Sequence, residues 1–179
     1  MNVLSKYIGE DLILIQPSFF KREYEFRSSN ELIAKMYFPK FFSLTVVIEG
    51  FEDKYEIIRP SFWKSEIAIR KYGYDLTFAT LTTNFFRTKG SINLQNGKKL
   101  NLKFGAFKKS CQVLDESGDL LLLFQNKFSF KDKNIVSLEK KSSLVDDNPW
   151  IVMLLWYFLI ESKKNGAHAG KFMQIELNK

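Results

Sequence analysis

The chain has one cysteine, Cys111, one histidine, His168, and four prolines, and its longest unbroken apolar run is 149–160. Each scarcity removes a class of protein. A lone cysteine rules out an internal disulfide and fits a reducing compartment, where its expected role is a small buried side chain. One histidine and one cysteine leave no usual ligand set for zinc. His168 sits in the small-residue stretch "GAHAG", expected to be a flexible tail, and lacks the fixed neighbours that a catalytic imidazole needs. There is no phosphate-cradling glycine loop and no dinucleotide fingerprint. Asp146-Asp147 and the group Asp115, Glu116 and Asp119 lack the regular oxygen spacing of a calcium loop, and are expected to serve as a helix cap and an ordinary turn. Carboxylate pairs assembled across strands are neither excluded nor nominated by sequence. The expectation is therefore a protein that is not an enzyme, with no cofactor and no metal.

Residues 1–18 show no basic flank followed by a long apolar core and a small-residue cleavage site, so no secretory signal is expected and a cytoplasmic location is the default. With 179 residues, 45% hydrophobic and 26% charged, the chain is of ordinary globular composition and sized for one domain, 1–179. Phenylalanine is abundant: 18 Phe, with 7 Tyr and 3 Trp, suit strands and a broad aromatic interior.

From about Asp11 to Lys141 short apolar runs alternate with period two. Phe42, Leu44, Val46 and Ile48 share a face, as do Leu32, Ala34, Met36 and Phe38, then Ile67 and Ile69, then Leu100, Leu102 and Phe104. One buried and one wet side is the antiparallel pattern. "RSSNE", "EGFEDK", "RKYGYD", "LQNGKK", "DESGD" and "FKDKN" punctuate the runs. Asn96-Gly97 predicts a hairpin with a type I′ turn. No interval is long enough for several crossover helices, which excludes a doubly wound parallel sheet. No repeat of fixed length, low-complexity tract or linker divides the chain.

The run "NPWIVMLLWYFLI" predicts a helix over about 148–164, with Asp147 or Asn148 as N-cap, Pro149 in the first turn and Asn165-Gly166 as its stop. Its apolar part has no polar face, so it must be surrounded on all sides. A bilayer needs about 20 apolar residues, more than this run supplies. The surrounding material is then the strands, which predicts a mainly β fold: an antiparallel sheet closed into a barrel around a central C-terminal helix.

This layout resembles the tubby-like barrel superfamily, which includes tubby C-terminal domains, phospholipid scramblases and LURP-one-related proteins, with "NPWIVMLLWYFLIE" as the telling segment over a core of about 11–167. The resemblance implies about twelve strands and, in some relatives, association with membranes or phosphoinositides. It implies no phosphoinositide-binding motif that matches this chain residue by residue. The segment "GAHAGKFMQIELNK" that follows the helix is a frayed tail or, through "KFMQIEL", an edge strand.

Charge is unevenly placed. Between Leu76 and Leu114 there is no acid, yet Arg87, Lys89, Lys98, Lys99, Lys103, Lys108 and Lys109 lie there. Setting these seven aside leaves 20 basic residues against the 20 acidic ones, so they carry the whole net charge of +7. Parity turns Lys99, Asn101 and Lys103 away from the Leu100, Leu102 and Phe104 face. They are the candidate binding residues for an anionic membrane or phosphoinositide head group, with a protein partner also open. The same lysines equally suit a solvated strand surface. Two alternatives stand beside this one: nucleic-acid binding through basic residues among Phe85, Phe86, Phe104 and Phe107, and a lipocalin-type barrel for a small molecule with its helix outside.

Overall fold

The computed structural model describes residues 4–18, 20–39, 45–59, 66–84, 86–105, 110–126 and 133–176, with side chains up to Lys163. Phe42, Leu44, Phe85, Phe107, Lys108 and Lys109 lie outside the described residues.

Twelve antiparallel strands form an up-and-down closed barrel, in which each strand pairs with its neighbours in sequence: β1 Leu12–Ile15, β2 Glu23–Arg27, β3 Leu32–Tyr37, β4 Val46–Gly50, β5 Asp53–Ile58, β6 Ile67–Lys71, β7 Thr77–Thr83, β8 Lys89–Leu94, β9 Lys99–Phe104, β10 Ser110–Leu114, β11 Leu120–Asn126 and β12 Lys133–Leu138. Closure is made by β1 against β12, with Leu12 opposite Val136 and Leu14 opposite Asn134. A 3-10 turn at Leu4–Tyr7, a short helix α1 at Ser143–Asp146 and a long helix α2 at Ile151–Glu176 complete the chain.

The helix lies in the lumen. Every residue from Trp150 to Ile160 is at most 4% exposed, and its rings meet strands around the wall. Trp156 packs edge-on against Tyr24 of β2 at 5.1 Å, Trp150 against Phe78 of β7 at 5.2 Å, and Phe158 against Phe104 of β9 at 5.0 Å. A helix with its side chains is about 10–12 Å across, whereas eight strands leave room only for their own side chains. The larger strand number follows from the plug it must hold. The direction of α2 defines two ends. It enters beside the connections 28–31, 51–52, 72–76, 95–98 and 115–119, and leaves among 16–22, 38–45, 59–66, 84–88, 105–109 and 127–132.

Several local expectations need correction. Leu32 does not join Ala34 and Met36. A bulge pairs Phe26 with Ala34 and Arg27 with Leu32, so the extra residue Ile33 turns inward and Leu32 faces water. The Asn96-Gly97 turn is not type I′. Only Gly97 has positive φ, +80°, and the Gly97 N–H donates to Leu94 O, giving a three-residue loop with a glycine bulge. The turn with both central residues at positive φ is Phe51-Glu52, at 58° and 65°. Left-handed backbone costs about 1–2 kcal/mol per residue, and here the buried Phe51 ring, packed on Phe26 at 6.2 Å, offsets it. Gly50 beside it is obligatory: a Cβ there would meet the Ile33 carbonyl and the Ala34 Cα at 2.7 Å.

The ends of the helix also differ from expectation. Asp146 accepts hydrogen bonds from Ser5 N at 2.8 Å and Ser5 Oγ at 2.5 Å, tying the N-terminal turn to α1, and Asn148 donates to Leu144 O. Asp147 instead ends α1, its N–H donating to Ser143 O at 2.8 Å, and neither Asp147 nor Asn148 caps α2 with its side chain among the described residues. The helix runs on through Asn165-Gly166 and His168 to Glu176, so Asn165-Gly166 does not stop it and this stretch is not an edge strand. Extending a helix already nucleated in the core costs little per residue, and a glycine adds only about 1 kcal/mol. A closed barrel also offers no edge for a thirteenth strand.

The plug is packed on every side by the buried faces of the strands. Trp156 is fully buried although its indole nitrogen has no hydrogen-bond partner among the described residues. Trp156→Ala is expected to lower stability by about 3–5 kcal/mol, with Trp156→Phe costing less than half as much because the unpartnered N–H leaves with the ring. Urea denaturation of the two variants checks this ordering.

Candidate functional site

The lumen is occupied, so no open-lumen cavity of the lipocalin kind exists among the described residues. The described residues form surface clefts that include the following two. One, of about 350 Å³, lies where α2 enters and is lined by Phe78, Leu94, Gln95, Asn96 and Asn148. The other, of about 200 Å³, lies over β2–β4 beside Glu23, Glu25, Lys35, Tyr37 and Glu49. Neither gathers nucleophile, base and orienting group. Cys111 is buried, and burial pushes its thiol far above the ordinary value, which leaves it protonated and inert. Asp115, Glu116 and Asp119 form a turn whose oxygens already have donors: Asp119 N to Asp115 Oδ1 at 2.9 Å, Lys99 N to Glu116 Oε1 at 2.8 Å and Lys140 Nζ to Asp119 Oδ2 at 2.5 Å.

The outer wall has two characters. Over β4–β6 charges are paired: Lys54 with Glu49 at 2.6 Å, Lys71 with Asp53 at 2.6 Å, and Arg70 with Glu56 at 2.8 Å and Asp75 at 3.0 Å. Their lysine partners hold the Glu49 and Asp53 carboxyls below the usual range. Over β7–β10 the outward residues Thr80, Thr82, Ser91, Asn93, Asn101 and Gln112 are neutral and polar, Lys99 stands among them opposite Asn93, and Lys89 is directly opposite Lys103. These two lysines are exposed and form no ion pair among the described residues. Like charges facing each other across a strand pair are destabilising.

The predicted basic set is therefore split. Arg87, Lys89 and Lys103 stand together at the end where α2 leaves, and the strands flanking Lys108 and Lys109 close there through Gly105 N to Ser110 O at 2.9 Å. Lys98 and Lys99 lie at the opposite end, beside Glu116.

A larger asymmetry appears once the connections are sorted by end. Among the described residues, those at the exit end hold four basic residues, Lys21, Arg22, Arg59 and Arg87, against one acid, Glu66, and the sequence between the same strands adds six lysines and Asp132. Those at the entry end, with residues 1–11 and 139–150, hold four basic residues against eleven acids. Because successive connections alternate ends, the two populations interleave along the sequence and separate in space.

A sequence signal for this was present but overlooked. Phe19, Phe41, Phe62, Phe85, Phe107 and Phe128 recur at steps of 21–23 residues, each within two residues of a lysine or arginine. That step is one hairpin of an up-and-down barrel.

At the exit, Arg59 Nε donates to the Tyr157 hydroxyl at 3.1 Å and its Nη2 reaches Glu161 Oε2 at 3.4 Å. Arg22 stacks on the Phe38 ring at 3.5 Å. Burial pushes the Tyr157 phenol up despite the adjacent guanidinium.

No family model matches this chain, and no curated protein does. Its structure is similar to that of an Arabidopsis thaliana protein solved by X-ray crystallography, with a TM-score of 0.64 at 16% identity over 91% of this chain and 98% of that one. At such identity the likeness is one of fold. No helix among the described residues is long and apolar enough to cross a membrane.

The burial of Cys111 is testable. In the native protein at neutral pH the thiol should resist a disulfide reagent and react fully only on denaturation. Its raised value keeps its stabilising contribution intact below the unfolded thiol value of about 8.5, and that contribution is lost as pH rises above it. Cys111→Ala should remove this part of the alkaline destabilisation. Rapid native labelling would show the site to be open.

Proposed function

We propose that this is a tubby-like barrel domain, related in layout to scramblase-like and LURP-one-related proteins, that acts without catalysis by binding anionic phospholipid or phosphoinositide head groups through its basic outer surface. The supporting observation is the Lys89–Lys103 pair. Two lysines held directly opposite each other, on a wall of threonine, serine and asparagine, lower stability in the free protein and are best satisfied by an external anion. The filled lumen supports a role for the exterior instead of an internal reaction. A cytoplasmic protein meeting the inner face of a membrane fits this charge.

Flotation with vesicles of phosphatidylcholine alone, or with added phosphatidylserine or phosphoinositide, tests it. The protein should float only with anionic lipid and lose binding as salt rises. Lys89→Glu should weaken binding by roughly fivefold or more, since each lysine near such a surface contributes about 1 kcal/mol. The same substitution should raise folding stability by about 0.2–1 kcal/mol through a new cross-strand pair with Lys103. Lys98→Glu with Lys99→Glu, at the acidic end, should change binding little. Equal flotation with neutral vesicles, or an effect confined to Lys98 and Lys99, would contradict the proposal.

A further inference from the structure

The exit end carries more than charge. Eleven of the 18 phenylalanines, together with Trp63, fall in its six connections, and every one of the six has both an aromatic and a basic residue. Residues 19, 40–44, 60–65, 85, 106–109 and 127–132 of these lie outside the described set, so the physical argument rests on the rest. Phe20 is 100% exposed and Phe86 is 79% exposed, the two most exposed large apolar side chains among the described residues. Phe20 precedes Lys21 and Arg22, and Phe86 precedes Arg87, whose φ of 52° bends the chain into the left-handed region. Two such exposed phenylalanines beside cations at one rim suit an interaction surface.

From these observations we infer that the protein docks end-on, with Phe20 and Phe86 immersed in the interfacial layer of an anionic bilayer while Lys21, Arg22, Arg87 and Lys89 meet its head groups. This rests on the anionic-membrane proposal above and adds the contact face and the apolar component to it.

Three features favour a bilayer over other anionic partners. The rim of a closed barrel is a ring, which suits a planar surface; a nucleic-acid strand is better held by a groove. Aromatic side chains with lysine and arginine are the usual occupants of membrane interfaces. The opposite end, where Tyr72, Tyr74 and Leu76 are also exposed, has Asp75 among them and the acidic turn 115–119 nearby, so an anionic surface would repel it. Helix α2 leaves through the same rim, and its sequence beyond Ile160 includes Lys163, Lys164, Lys171 and Phe172.

Because Cys111 is buried, an introduced surface cysteine can be labelled selectively. Phe20→Cys, Phe86→Cys and, at the other end, Tyr74→Cys are each labelled with an environment-sensitive fluorophore in the full chain and mixed with phosphatidylcholine–phosphatidylserine vesicles. The labels at 20 and 86 should shift to the blue and be quenched by lipids spin-labelled on the acyl chain, with no change at 74. Phe20→Ala with Phe86→Ala, at exposed positions where folding is insensitive, should weaken partitioning roughly tenfold or more, without altering the salt dependence. Soluble inositol phosphates should compete only weakly, because they offer no apolar layer.

Vesicle binding with the labels at 20 and 86 remaining in water would overturn the end-on arrangement while leaving the lipid-binding proposal intact. No vesicle binding would remove both. Binding of a single-stranded oligonucleotide with a response at residue 86, and none to vesicles, would replace both with nucleic-acid recognition.

Discussion

An α-helix with apolar side chains around its whole circumference cannot rest against a single surface. That requirement organises this molecule. Trp150 to Ile160 must be covered on every side, and a sheet can do so only by closing on itself. Closure around a helix rather than around side chains calls for a wide barrel, and twelve strands supply it. The same filling removes the lumen as a place for ligand or chemistry, so recognition must occur on the wall or at the ends.

The ends are made unequal by simple chain geometry. In an up-and-down barrel successive connections alternate between the two rims, so a sequence that alternates acidic turns with basic, aromatic ones builds two opposed faces. The acidic rim has several short connections, including the two-residue Phe51-Glu52 turn and the loop at Gln95–Gly97. The basic rim receives the end of the helix core, where Arg59, Tyr157 and Glu161 interlock and Arg22 lies on Phe38. The wall between them is divided too, into a face of paired ions over β4–β6 and a polar face over β7–β10 whose charges are Lys99 and the opposed Lys89 and Lys103. A field of one sign at one rim would orient the molecule before contact.

The barrel and its plug were legible because both are written in short-range pattern: period two in the strands, and the lack of any polar stripe in "WIVMLLWYFLI". Details that depend on partners were not. Leu32 obeys the alternation but is turned outward by a bulge that only its pairing with β2 reveals. Asn96-Gly97 has the composition of a type I′ turn and adopts another form, while Phe51-Glu52 takes that turn because the buried Phe51 ring compels it. The expected stop at Asn165-Gly166 failed because a helix anchored in a core extends past weak breakers. The candidate lysines are contiguous in sequence but not in the fold. Lys98 and Lys99 are neighbours of Lys103 in sequence and belong to the other rim. Phe20 and Phe86 lie exposed in exit-end connections and not in the aromatic interior that composition suggests.

The enclosure of the helix is open to one direct measurement, amide hydrogen exchange in the native protein, read residue by residue. If the sheet seals the plug, the amides of Ile151–Ile160 should exchange only with global unfolding, with protection that tracks the denaturation free energy under every condition. Exchange of those amides through a smaller opening, while the β1–β12 pairing stays protected, would mean that the helix can leave an intact barrel and that the sheet does not depend on it.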